Sequence, residues 1–367
     1  MAAVVDGIPG RVGWDRKGNK TTEASDSAGP EVDYTGNNLV FSESVSKAPL
    51  IVVVGPTASG KTALALRLAE TCNGEIVSCD SVAIYWGLDI GSAKPSVAER
   101  ERVPHHGLDL LKPDEAANAG DYARAARVAL LQIQRRGRLA IVAGGTGLYL
   151  RALLYGLAPA PPRDEALRER LRRVEVRRGA GGLHRLLSRL DRRAAGSIHP
   201  NDTPKLIRSL EVTLLARRPQ TEQWEAGREP LQGVRVLQIG LNPPRAALYE
   251  RINQRAAAMF SRGLLEETAA VRAEYGDGAR GLGSLGYVQA LRVLRGEQGL
   301  AEAVAEAQQG HRNYAKRQLT WFRREPEMHW IEGFGDEPAV QEEALRLVRE
   351  HLIGVTADQP EREGKTT

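Results

Sequence analysis

Eight consecutive residues, Gly55, Pro56, Thr57, Ala58, Ser59, Gly60, Lys61 and Thr62, fit the spacing G-x-x-x-x-G-K-[ST]. A turn of this kind points several backbone N–H groups at one anion. Lys61 adds a point charge, and the Thr62 hydroxyl can reach a cation bound to the same phosphates. The implied chemistry is the holding of a phosphate, most often one of ATP or GTP. Hydrolases and kinases of this type place a carboxylate after a second strand to hold Mg²⁺. Here the corresponding run, LAIVA at 139–143, ends instead in Gly144-Gly145-Thr146-Gly147. The acid stands elsewhere: Asp80 follows the run EIVSC at 75–79. Strand ends on one edge of a parallel sheet share a crevice, so Asp80 either faces the ligand or caps a turn.

These residues need elements to hold them. Five runs read as strands: LIVVV (50–54), EIVSC, LAIVA, VRVLQIG (234–240) and, more weakly, MHWIE (328–332). Helix-period patterns at 61–71 and 119–136 separate the first three, which are apolar almost throughout. Such alternation predicts a parallel sheet covered on both faces. From about residue 158 to 232 the pattern changes: a stiff PAPPR segment leads into Arg-rich helical patterns without a convincing strand. The expected fold class is thus α/β, a P-loop core with a parallel sheet flanked by helices, plus a helical insertion domain. The core is expected over 48–157 and 233–353, and the insertion over 158–232. Residues 1–47 and 354–367 are polar and aperiodic, and are expected to be disordered tails.

The chain has 367 residues and 42% hydrophobic content, as a soluble globular protein has. No apolar run approaches the ~20 residues of a membrane span, and the first residues do not read as a signal peptide. Two cysteines are too few for a disulfide framework or a zinc finger, which points to the cytoplasm. Net charge is only +5, but arginines cluster. In NYAKRQLTWFRR, Ala315, Leu319 and Phe322 share a face expected in the core. Arg312, Lys316 and Arg323 share another, which is either solvated or lines an RNA path. The arginines of LRERLRRVEVRR alternate with Glu165, Glu169 and Glu175, so pairing along the helix competes with RNA binding. His105 and His106 lack sequence neighbours to complete a metal site and are read as structural.

Several blocks together resemble the tRNA dimethylallyltransferase (tRNA isopentenyltransferase) family, bacterial type. They are GPTASGKTALA, DSVAIYWGLDIGSAKP, VPHHGLDLLKP, VAGGTGLYLRALLYGL, IHPNDTPKLIRSLEV, ERINQRAAAMFSRGLLEE, GLGSLGYVQAL and RNYAKRQLTWFRREPEMHWI. The likeness covers about residues 49–331, in the family's order. It implies transfer of a dimethylallyl group from dimethylallyl diphosphate to N6 of an adenine beside the anticodon, with the loop holding diphosphate rather than ATP. It also implies roles for residues. Asp80 is the general base, Thr57 contacts the bridging region of the diphosphate, and Lys61 and Arg255 neutralise its charge. Mg²⁺ sits on Thr62. The tRNA-binding set comprises Asp80, Ser81, Val82, Ala83, Thr146, Arg168, Pro204, Lys205, Leu206, Ile207, Arg208, Gly286 and Tyr287. The partner is the tRNA anticodon stem-loop, and the protein is expected to be a monomer without a membrane association. Three alternatives stand beside this reading: prenylation of free adenine nucleotides, a small-molecule kinase that binds ATP, and an RNA-binding protein with an inactive loop.

Overall fold

The computed structural model describes Gly13–Trp14, Lys20–Thr21 and residues 47–225 and 227–357. The chain divides into two units, Met1–Phe41 and Ser42–Thr367. In the first, Gly13–Trp14 pairs antiparallel with Lys20–Thr21. Residue 47 and these two pairs apart, the tail expected over 1–47 lies outside the described residues, as do residues 358–367 of the tail expected over 354–367.

The second unit is built on six parallel strands: β1 (Ala48–Val54), β2 (Gly74–Cys79), β3 (His105–His106), β4 (Leu139–Gly144), β5 (Val234–Leu241) and β6 (Met328–Ile331), in the order β3-β2-β4-β1-β5-β6. The expected α/β core with a parallel sheet flanked by helices is therefore found. The five strands read from the sequence are all present, and β3 was not foreseen. A two-residue strand at a sheet edge leaves no periodic signal. Its histidines form backbone ladder partners of Ile76 and Val77.

The sheet is central because its strands are apolar on both sides. In β1, Leu50, Val52 and Val54 pack into one core, and Ile51 and Val53 into another. The first core is closed by α3 (Ala119–Arg135) and α4 (Gly147–Tyr155), together with α10 (Arg245–Ser261), α11 (Leu264–Tyr275), α12 (Tyr287–Leu294) and α13 (Leu300–Phe322). The second is closed by α1 (Lys61–Thr71) and α14 (Pro338–Ala357). Val97–Arg102 forms α2, begun by a Ser96–Glu99 capping box. No helix among the described residues is long and apolar enough to cross a membrane.

Between β4 and β5 the chain forms α5 (Glu165–Arg178), α6 (Gly182–Leu190), α7 (Arg192–Ser197), α8 (Thr203–Ala216) and α9 (Gln220–Glu225). These helices have an apolar cluster of their own, with Leu171, Leu183, Leu187, Ala194, Leu206, Ile207 and Leu210 buried together. Glu211 is buried beside that cluster. Arg168 holds it with two hydrogen bonds of 2.9 and 3.0 Å, and Arg208 adds a third of 2.6 Å.

Candidate active site

The phosphate loop follows β1 and opens α1. Gly60 has φ +83° at the start of the helix, and a Cβ there would lie 2.7 Å from the Gly335 amide, so only glycine fits. Ala58 also adopts a positive φ, 64°. Lys61 turns back over the loop and donates to the Pro56 carbonyl at 2.6 Å. The side chains of Thr57, Lys61, Thr62, Asp80, Arg255, Tyr314 and Gln318 line one crevice at the carboxyl ends of β1, β2 and β4. The structure thus brings together all the residues expected to do chemistry, including Arg255, which arrives on α10 from far along the sequence.

The electrostatics of the crevice suit an anion. Burial, and then the neighbouring Arg255, lower Lys61 to about 7, with Asp80 opposing the shift. Arg255 is likewise lowered by burial, again with Asp80 opposing. Two cations crowded together without enough negative charge form a site that a diphosphate would complete.

Asp80 does both things its position allowed. Its Oδ1 accepts the N–H groups of Val82 at 2.8 Å and Ala83 at 3.2 Å, an Asx-type turn. The carboxylate also lines the crevice. Thr146 ties this turn to the Gly144–Gly147 segment: its hydroxyl accepts the Ser81 N–H at 3.1 Å, and its own N–H donates to the Cys79 carbonyl at 3.2 Å.

The expected tRNA-contacting residues divide. Pro204 and Lys205 are exposed at the start of α8, where Lys205 pairs with Asp202 at 2.6 Å. Arg208 is half-buried. Leu206 and Ile207 are buried in the core of the insertion, so their side chains pack rather than meet solvent. Arg168 is spent on Glu211. Tyr287 is fully buried: its hydroxyl donates to Glu267 at 2.5 Å and accepts the Gly91 N–H at 3.1 Å. Gly286 is buried too, and its N–H donates to Gln289. Ser81 and Val82 are half-buried, while Ala83 is buried and lines the crevice.

Sequence reasoning missed Gln318 and Tyr314. Gln318 is 6% exposed; its Oε1 accepts the Thr57 N–H at 2.8 Å and its Nε2 donates to the Gly145 carbonyl at 2.8 Å. A Cβ on Gly145 would collide with Nε2, which accounts for that glycine. A signal was present: Gln318 falls between Ala315 and Phe322 at helical spacing on the buried stripe, where a polar residue needs partners. Beside the crevice, Arg151, Lys316, Arg317 and Arg324 line a second, open groove with Asn313, Thr320 and Trp321.

A family model described as IPP transferase matches residues 83–325, and one described as isopentenyl transferase matches residues 48–109. The chain is 60% identical over 300 residues to a tRNA dimethylallyltransferase of Koribacter versatilis (strain Ellin345), covering 82% of this chain and 98% of that one. It is 51% identical to the tRNA dimethylallyltransferase of Solibacter usitatus (strain Ellin6076), covering 83% and 99%. Among solved structures, the full-length tRNA isopentenylpyrophosphate transferase of Bacillus halodurans matches with a TM-score of 0.63 and 34% identity, over 85% of this chain and 99% of that one. A eukaryotic dimethylallyltransferase acting on tRNA shares the fold, with a TM-score of 0.67 at 23% identity, over 86% and 81%.

Proposed function

The chain belongs to the tRNA dimethylallyltransferase family, and we propose that its crevice transfers the dimethylallyl group of dimethylallyl diphosphate to N6 of an adenine beside the anticodon. It is a prenyltransferase that modifies tRNA. One observation carries the finer reading: Lys61, Arg255 and Asp80 line a single crevice, while β4 ends in glycines rather than a carboxylate. Two cations suit a diphosphate that departs, and a carboxylate suits an amine that must lose a proton.

In this mechanism the Asp80 carboxylate, held through Oδ1 by the Val82 and Ala83 amides, uses its other oxygen to accept the amine proton. The exocyclic amine of adenine is a weak nucleophile because its lone pair is delocalised, and such base assistance contributes ~10²–10⁴-fold. As the C–N bond forms, the allylic C–O bond breaks and its electron pair leaves on the diphosphate. Lys61, Arg255 and the loop amides neutralise that charge, and Thr57 contacts the bridging region.

Among the described residues no group of three or more His, Cys, Asp or Glu could hold a metal. A lone Thr62 hydroxyl in the crevice fits Mg²⁺ held mainly by phosphate oxygens and water. When bound, the ion would offset charge on the diphosphate. The anticodon stem-loop would lie along the groove of Arg151, Lys316, Arg317 and Arg324 and reach Pro204, Lys205 and Arg208 on α8. The protein would act as a monomer in the cytoplasm.

The test is mass spectrometry of tRNA nucleosides after incubation with dimethylallyl diphosphate and Mg²⁺. N6-dimethylallyladenosine in the anticodon loop is the expected product. ATP splitting with unmodified tRNA would overturn the reading in favour of a kinase, and preferential labelling of AMP would favour the free-nucleotide reaction.

A further inference from the structure

Tyr314 has no part in the chemistry above, yet it stands where the two concave surfaces meet. Its side chain lines the crevice with Asp80, Arg255 and Gln318. From the other surface, Arg317 of the basic groove places its guanidinium 5.6 Å from the Tyr314 ring centroid. The hydroxyl lies toward Thr146, whose own hydroxyl accepts the Ser81 N–H beside Asp80. The ring therefore stands between the basic groove and the turn that holds Asp80. Burial, and then Asp80, push the phenol up to about 12, so it stays neutral.

An adenine taken out of an RNA loop loses its stacking neighbours and needs an apolar or aromatic surface in exchange. Among the residues lining the crevice, Tyr314 carries the one six-membered aromatic ring.

We propose that Tyr314 is the stacking platform for the acceptor base, a positioning residue that receives the extruded adenine between the basic groove and Asp80. This rests on the reading that the acceptor is a tRNA adenine. Its partner is the π face of the base, so it orients the amine toward the carboxylate without touching the diphosphate.

The experiment uses an anticodon stem-loop carrying 2-aminopurine at the acceptor position, whose fluorescence falls when it stacks on an aromatic ring. Binding to the wild-type protein should quench it beyond the quench of the free stem-loop. Tyr314→Leu should abolish that added quench and lower kcat/KM for tRNA roughly 10- to 100-fold, the range for one lost base–aromatic stack. Its affinity for dimethylallyl diphosphate should hold. Tyr314→Phe should keep the quench and stay within a few-fold of the wild-type rate, and Tyr314→Trp should keep stacking.

No added quench in the wild-type complex would overturn the proposal, as would an undiminished quench and tRNA KM in Tyr314→Leu. The wild-type measurement decides the matter even where the leucine variant does not fold. If wild-type protein yields no prenylated nucleoside, the functional reading fails instead, a result that the binding signal does not share.

Discussion

Gln318 accepts the backbone N–H of Thr57 at 2.8 Å across 261 residues of sequence. With its other end it donates to the Gly145 carbonyl. One amide side chain thus joins the phosphate loop to the glycine segment that ends β4.

Replacing Gln318 by Leu should leave both backbone groups unpaired in a buried place. Each missing bond costs about 1 kcal/mol, more where the partner stays dry. The variant should lose about 2–3 kcal/mol of stability in urea and bind dimethylallyl diphosphate more weakly. Unchanged donor affinity would show that the loop keeps its shape without this tie.

Asp80→Asn should separate structure from chemistry. An asparagine oxygen can still accept the Val82 and Ala83 amides, so fold and tRNA affinity should persist. The amide cannot take the amine proton, and single-turnover rates should drop by ~10²–10⁴-fold. A wild-type rate in this variant removes Asp80 as the base.

Arg255→Met removes one preorganised cation from the crevice. Such losses cost about 3–4 kcal/mol of barrier. The rate of the chemical step should therefore fall by about 10²–10³-fold, while tRNA binding, followed by filter retention, should not change.

His311 lies beside Arg255 among Thr57, Ala58, Ile252, Ala256 and Met259, and its Nε2 has no partner. Burial, and then Arg255, lower it from 6.5 to about 4. As pH falls from about 6.5 toward 4, the unfolded chain takes up a proton that the folded protein refuses. Stability is lost through that window, by at most about 2–3 kcal/mol. His311→Gln should flatten the stability curve there by that amount, as read from urea midpoints at pH 7 and pH 4.5. Parallel curves for the two proteins would refute this.

Arg168→Ala tests whether that arginine serves the fold or the RNA. Glu211 is fully buried and would keep Arg208, so the cost should be that of lost charge-assisted hydrogen bonds, about 1.5–3 kcal/mol. The insertion should melt earlier, while the salt dependence of tRNA binding keeps its slope. A slope reduced by about one unit would mean a phosphate contact instead.

The sequence by itself determined the local features. The phosphate loop was legible because its glycines and Lys61 recur at a fixed spacing within eight residues, although Gly60 is also pressed by the distant Gly335 amide. The strands were legible because runs such as 50–54 are apolar on both sides, and each was found within two residues of its expected ends. Asp80 could be placed near the ligand from its position after a strand, but its hold on the Val82 and Ala83 amides needed the turn itself.

The tertiary structure decided which distant residues meet. Helical periodicity marks the face of α13 that is buried, but not that Gln318 there would find Thr57 and Gly145. It does not say that Arg168 would turn inward to Glu211, or that Tyr287 would sit under Gly91. Arg255 pointed to the site only through family resemblance, since a lone arginine on a helix reads as solvated. The physical reason is common to all four. Periodicity encodes a direction from the helix axis, whereas a partner is set by how the sheet order β3-β2-β4-β1-β5-β6 stacks elements far apart in the chain.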